Sequence, residues 1–196
     1  MDARRRSHAD AVPPPFPCRL QAGLSGYESA GGALILTAEL PPALQARMNA
    51  LRQAHFPPER NYLSAHVTLF HALPPSCEPE LRDVLARLAA GPAPQGQVEG
   101  VMSLGRGTAI RLASPALLAL REQLAERFWS LLSAQDQHRP RLHVTVQNKV
   151  TTDAARALQT QLGAQIQPEA FRFAGLGLHV YAGGPWTYVK SWPFRG

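Results

Sequence analysis

Two stretches of this chain carry the same alternation of polar and aliphatic side chains. His66-Val67-Thr68-Leu69 and His143-Val144-Thr145-Val146 each set histidine and threonine two residues apart, with aliphatic residues between and after them. Side chains at i and i+2 of an extended strand share a face. Each stretch therefore reads as a strand with histidine and threonine on one side and its aliphatic residues on the other. The aliphatic face needs a core, and the polar face needs water or a partner.

The surroundings of the two stretches also match. The apolar run ALILTAEL from Ala33 reads as a strand that Pro41-Pro42 ends, and Leu44, Met48 and Leu51 follow at helical spacing. After the first alternating strand, Leu81, Val84, Leu85 and Leu88 mark one face of a second helix, closed by Gly91, and GQVEGVMSLG returns as a strand. The order then begins again. TAIRLA is a strand, and Ser114-Pro115 is a helix start with an N-cap and a first-turn proline. Leu117, Leu120, Leu124, Phe128 and Leu131 form its apolar stripe. RLHVTVQNKV is the second alternating strand, and Thr151-Thr152-Asp153 opens a helix with Ala155, Leu158 and Leu162 on one face. FRFAGLGLHVY and WTYVKSW end the chain as strands.

This duplication predicts an α+β fold of two pseudo-symmetric lobes. Each lobe would be an antiparallel sheet with helices on its outer face, and the inner faces would confront each other across a central cleft with one motif per lobe. Residues 32–196 are expected to form this single bilobal domain, with motif strands at about 64–70 and 141–147. Residues 1–31, with Arg4 to Arg6 and the run PPPFP, are expected to be a flexible tail.

Composition narrows the function class. With 45% hydrophobic and 17% charged residues the chain has a globular balance, and its formal charge of +6 favours polyanionic partners such as RNA or nucleotides. Cys18 and Cys77 are the only cysteines, without metal-binding spacing, which points to a reducing compartment. No apolar run approaches the ~18 residues of a membrane span, and no apolar segment follows the basic N-terminus. A cytoplasmic location, no membrane partner and a monomer are the expectations.

Chance is a poor source of the paired motif. With eight threonines in 196 residues, two such hits among seven histidines arise with roughly 3% probability, before the aliphatic pattern and the matched halves are required. The pair HVTL and HVTV, one per half, resembles the two-histidine (2H) phosphoesterase superfamily, whose hallmark is two His-x-Thr/Ser-x motifs. Within it the likeness is to the bacterial 2′-5′ RNA ligase-like branch, which includes RNA 2′,3′-cyclic phosphodiesterases. It covers about residues 33 to 196 and implies a bilobal fold, no metal and no cofactor. By motif position, His66 and His143 would be the acid–base pair, while Thr68 and Thr145 would hold phosphoryl oxygens. The implied activity is opening of 2′,3′-cyclic phosphates on RNA ends or small nucleotides, with reversible 2′-5′ ligation as a second capacity.

The chemistry agrees with these residue types. A phosphodiester displacement needs one group to take a proton from the nucleophile and another to protonate the departing ribose oxygen. Histidine, with an ordinary pKa of ~6.5, serves either task near neutrality. Threonine hydroxyls donate to oxygens that gain charge in the transition state. On a regular second strand, Arg141, Gln147 and Lys149 share the face of His143 and Thr145, and Arg141 or Lys149 is then a candidate phosphate contact or a solvated strand end. His71 has the opposite parity from His66 and is expected to be structural, facing away from the cleft. Phe70 is expected as cleft wall or core. Trp186, Tyr188, Lys190 and Trp192 alternate on the last strand, where burial of the rings is the expectation. His55, His138 and His179 complete no metal set with the motif pair. The competing reading is a non-catalytic RNA- or nucleotide-binding module on the same scaffold.

Overall fold

The computed structural model describes residues 32–196. The expected flexible tail, with Cys18 and the basic run Arg4 to Arg6, lies outside the described residues. Eight strands and four α-helices follow in the order β1 (Ala33–Glu39), α1 (Pro42–His55), β2 (Val67–Leu73), α2 (Glu78–Ala89), β3 (Gln95–Ser103), β4 (Gly107–Ala113), α3 (Pro115–Arg127), β5 (His143–Asn148), α4 (Thr152–Gln165), β6 (Glu169–Arg172), β7 (Gly175–Tyr181) and β8 (Thr187–Pro193). The helix starts come from local chemistry. Ser114 Oγ accepts the Leu117 N–H at 3.1 Å with Pro115 behind it, and Thr151 Oγ1 accepts the Ala154 N–H at 3.2 Å.

Two four-stranded antiparallel sheets result, with strand orders β2-β1-β7-β8 and β5-β4-β3-β6. The orders are equivalent: each motif strand is an edge strand beside the strand that opens its half. The halves trade one strand connection, however. β3 follows the first half in sequence but joins β4 through a tight turn in which Gly105 takes φ +73°, a conformation that suits glycine. The C-terminal FRFAGLGLHVY is two strands, not one. It divides at Phe173-Ala174, where the chain leaves β6 of the second sheet and enters β7 of the first.

One apolar core joins the lobes. Leu34, Leu36, Val67 and Leu69 from the first sheet share a buried cluster with Val98, Ile110, Val144 and Val146 from the second. α2 packs on β7 and β8, and α4 packs on β3 and β4. α1 instead reaches across to β5, so a helix of the first half supports the motif strand of the second.

Both motif strands carry a bulge at the same place. Thr37 pairs with Thr68 and Leu36 with Phe70, which leaves Leu69 as the extra residue. In the other sheet Ala109 pairs with Thr145 and Thr108 with Gln147, which leaves Val146 extra. The fourth residue of each motif is thus bulged, and the alternation of faces is lost beyond it. Leu69, Phe70, Val146 and Gln147 are all buried as a result.

Candidate active site

His66 lies one residue before β2, and its position is fixed from α1. Gln45, Asn49 and Arg52 stand at i, i+4 and i+7 on one side of that helix. Gln45 Nε2 donates to the Ala65 carbonyl at 2.7 Å, and Asn49 Oδ1 accepts the Ala65 N–H at 2.7 Å. Arg52 is 4% exposed. It donates to the Leu63 carbonyl at 3.2 Å, to Asn61 Oδ1 at 2.9 Å and to the Thr145 carbonyl at 2.7 Å. One guanidinium therefore ties the segment entering the first motif to the backbone of the second.

The two histidines are held alike. His66 Nδ1 is 2.7 Å from the Ser64 carbonyl, and His143 Nδ1 is 2.7 Å from the Arg141 carbonyl. A carbonyl only accepts, so Nδ1 carries the hydrogen in both rings, and Nε2 of each has no hydrogen-bond partner among the described residues. Both rings, with Thr68, Thr145 and Arg141, line one cleft of about 380 Å³ between the motif strands. Burial, foremost, draws the His66 imidazole down to about 4; the positive charges of Arg52, His179 and His143 act the same way, and the Ser64 bond opposes them. Burial likewise lowers His143, aided by His71 and Arg141 and opposed by its own carbonyl bond.

Trp186 forms a wall between this cleft and a second one. Its ring centroid is 4.6 Å from that of His66 and 5.7 Å from that of His179. The second cleft, about 650 Å³, shares His66 and Trp186 with the first and is lined further by Tyr62, His179 and Tyr188. The expected burial of the last strand's rings holds for Trp192 alone. Leu178 pairs with Lys190 and His179 with Tyr188, so Val189 is bulged and the alternation breaks. Tyr188 is 61% exposed, and Trp186 stands before the strand rather than in it.

Other expected positions depart from a regular strand as well. Gln147 turns inward to accept the Thr108 hydroxyl at 3.2 Å. Lys149 lies in the turn after β5 at φ +58°, its N–H bonded to Asn148 Oδ1, and is not among the residues lining the cleft. Phe70 is core, 1% exposed, beneath the Arg121 guanidinium at 4.4 Å. His71 overturns the parity expectation. The bulge at Leu69 brings it round to the cleft, which it lines together with Arg121 and Asp136. Arg52 and Arg121 were not singled out from the sequence. Their signal was an arginine next to an apolar helical stripe, as in Leu117, Leu120, Arg121, Leu124. Among the described residues no three His, Cys, Asp or Glu side chains cluster as a metal site.

The sequence profile of the 2′-5′ RNA ligase superfamily matches residues 40–185. The chain belongs to that superfamily. The two-histidine phosphoesterase resemblance read from HVTL and HVTV is thereby borne out, as is the bilobal α+β fold. Two solved structures share the architecture. TT0787 of Thermus thermophilus is 18% identical at a TM-score of 0.55, covering 84% of this chain and 98% of its own. LigT of E. coli, complexed with NADP+, is 19% identical at a TM-score of 0.55, covering 85% and 99%. Among curated proteins none matches in sequence. No helix among the described residues of this superfamily member is long and apolar enough to cross a membrane.

Proposed function

We propose that this protein is a metal-independent cytoplasmic phosphodiesterase that opens 2′,3′-cyclic phosphates on RNA ends or nucleotides, with reversible 2′-5′ ligation, in which a 5′-hydroxyl replaces water as the nucleophile, as a second capacity. The observation that carries the reading is the pair of imidazoles from opposite sheets, each with Nδ1 bound to the carbonyl two residues before it and Nε2 free in one cleft. One Nε2 takes a proton from the attacking water. The other ring, protonated, gives its Nε2 proton to the ribose oxygen that leaves phosphorus. Lobes facing each other suit attack and departure on opposite sides of phosphorus. Thr68 and Thr145 donate their hydroxyl hydrogens to the non-bridging oxygens as these gain charge, and Arg141 adds a guanidinium on the same side.

The cleft beyond Trp186 is of a size that takes a nucleoside. Its exposed aromatic rings offer stacking faces to a base. That E. coli LigT has been solved with NADP+ agrees with a nucleotide-binding scaffold. The net charge of +6 agrees with a polyanionic substrate.

The test is incubation of 2′,3′-cyclic nucleotides, and of a short RNA ending in a cyclic phosphate, with an excess of chelator. Ring-opened monophosphate products that form undiminished by the chelator support the reading. Tight binding of these compounds without turnover, across acidic and neutral pH, would make the protein a binding module instead.

A further inference from the structure

Asp136 is the most heavily bonded carboxylate near the cleft. It follows the 3-10 turn Trp129–Leu131, and its side chain is 1% exposed. Oδ1 accepts the His71 N–H at 2.9 Å and lies 3.0 Å from His71 Nδ1. Oδ2 accepts the Ala72 N–H at 2.9 Å and the Ser133 hydroxyl at 3.1 Å. Burial opposes ionisation here, yet the His71 and Ala72 donors prevail and hold the carboxyl below its ordinary range.

Closing the exposed edge of β2 accounts for the two backbone bonds but not for the imidazole. His71 is 42% exposed at its side chain and lines the cleft with its Nδ1 held by Asp136 and its Nε2 without a partner among the described residues. It is the third imidazole of the cleft in that arrangement, and the one whose acceptor is a carboxylate. Behind the same aspartate stands Arg121, 3% exposed, on the apolar stripe of α3. Its Nη2 donates to the Asp136 carbonyl, while its Nε has no hydrogen-bond partner among the described residues. A guanidinium carries five donors; this one lines the cleft, and the bond to the Asp136 carbonyl is its one hydrogen bond among the described residues. Arg139 stands at the rim, ion-paired to Glu122 at 3.3 Å.

A cyclic phosphodiester carries one negative charge, and the proposed reaction already surrounds it with two histidines, two threonines and Arg141. The further donors therefore exceed what one such group needs. We propose that His71, oriented by Asp136, and Arg121, with Arg139 at the rim, form a binding site for a second phosphate of the substrate. This rests on the phosphodiesterase reading and narrows its substrate class. The preferred substrate carries another phosphate besides the reacting one, either a terminal 5′-phosphate or the next internucleotide linkage. His71 and Arg121 bind that group, and Asp136 is a positioning residue that acts through His71.

The experiment compares kcat/KM for adenosine 2′,3′-cyclic phosphate, the same compound bearing a 5′-phosphate, and a diadenosine nucleotide ending in a 2′,3′-cyclic phosphate. A preference of about tenfold or more for one or both phosphate-bearing substrates is expected, the size that charge-assisted hydrogen bonds support. His71→Gln should reduce the ratio towards one, chiefly through KM, and Arg121→Met should do the same where it folds. Which extended substrate is favoured identifies the source of the phosphate. Equal kcat/KM for all three in the wild type, or a His71→Gln loss that is uniform across them, overturns the inference. If nothing is turned over the phosphodiesterase reading fails, and binding then decides the subsite on its own. Adenosine 3′,5′-bisphosphate should bind about tenfold tighter than adenosine 3′-monophosphate to wild type but not to His71→Gln. Equal binding of the two ligands by the wild type overturns the subsite as well.

Discussion

Replacing His66 with glutamine should change how stability depends on pH. The folded chain holds this imidazole at about 4, because burial and the charges of Arg52, His179 and His143 outweigh its bond to Ser64. The unfolded chain returns it to its ordinary ~6.5. Between those values the unfolded state binds more protons than the folded one, so stability falls as pH falls through this window. From about pH 7.5 to about pH 5 the linkage amounts to at most about 2 kcal/mol. The ring is only partly covered, and solvent screening leaves about 1–2 kcal/mol as the expected effect. Urea unfolding of wild type and His66→Gln at both pH values reads it directly. Groups common to both proteins cancel in the difference. The stability of wild type relative to the variant should drop by that amount on acidification. A difference that stays constant within ~0.3 kcal/mol would refute the account of the electrostatics around His66.

The same environments bear on the proposed reaction. It needs one histidine protonated and one neutral in the free protein, and both are held below their ordinary range, so kcat/KM should peak below pH ~6.5 and fall as pH rises. A peak at pH ~7.5 or above contradicts this. Thr68→Val and Thr145→Val should each lower kcat by about 10²–10³ with a smaller effect on KM, the pattern of a donor used mainly in the transition state. Steady-state kinetics on a cyclic nucleotide checks both. Arg52→Met strands the Thr145 and Leu63 carbonyls and Asn61, at about 1–3 kcal/mol for each group that water does not reach. Denaturant unfolding should therefore show a loss of about 3 kcal/mol or more, and a loss below ~1 kcal/mol would show the clamp to be dispensable.

Periodicity made most of the scaffold legible. The alternation of His66 to Leu69 and His143 to Val146 foretold buried valines and leucines behind a polar face, and Val67, Leu69, Val144 and Val146 are fully buried. Ser114-Pro115 and Thr151 placed two helix starts because caps are local chemistry. Reasoning by parity failed one residue beyond each motif. A bulge changes which face a residue meets without changing its type, so nothing in HVTLFHA or HVTVQNK announces it. On regular strands His71 would face away from the cleft and Gln147 towards it, and the bulges reverse both. The last strand repeats the lesson at Val189, where the break leaves Tyr188 and Trp186 around a cleft instead of in the core. Arg52 and Arg121 gain their meaning from partners many residues away, at Thr145 and Asp136. Only assembly reveals such pairs. The division of FRFAGLGLHVY between two sheets was equally hidden, since both parts read as good strand sequence.

In the proposed reaction His66 and His143 act as one acid–base unit on a single phosphodiester. Single-turnover hydrolysis of a nucleoside 2′,3′-cyclic phosphate by wild type, His66→Ala, His143→Ala and the double variant tests it most directly. Each single change should cost about 10²–10⁴ in rate. The double variant should be scarcely worse than either single one, because residues that work together are not additive. Full activity in either single variant, or losses that simply multiply in the double one, would contradict the account.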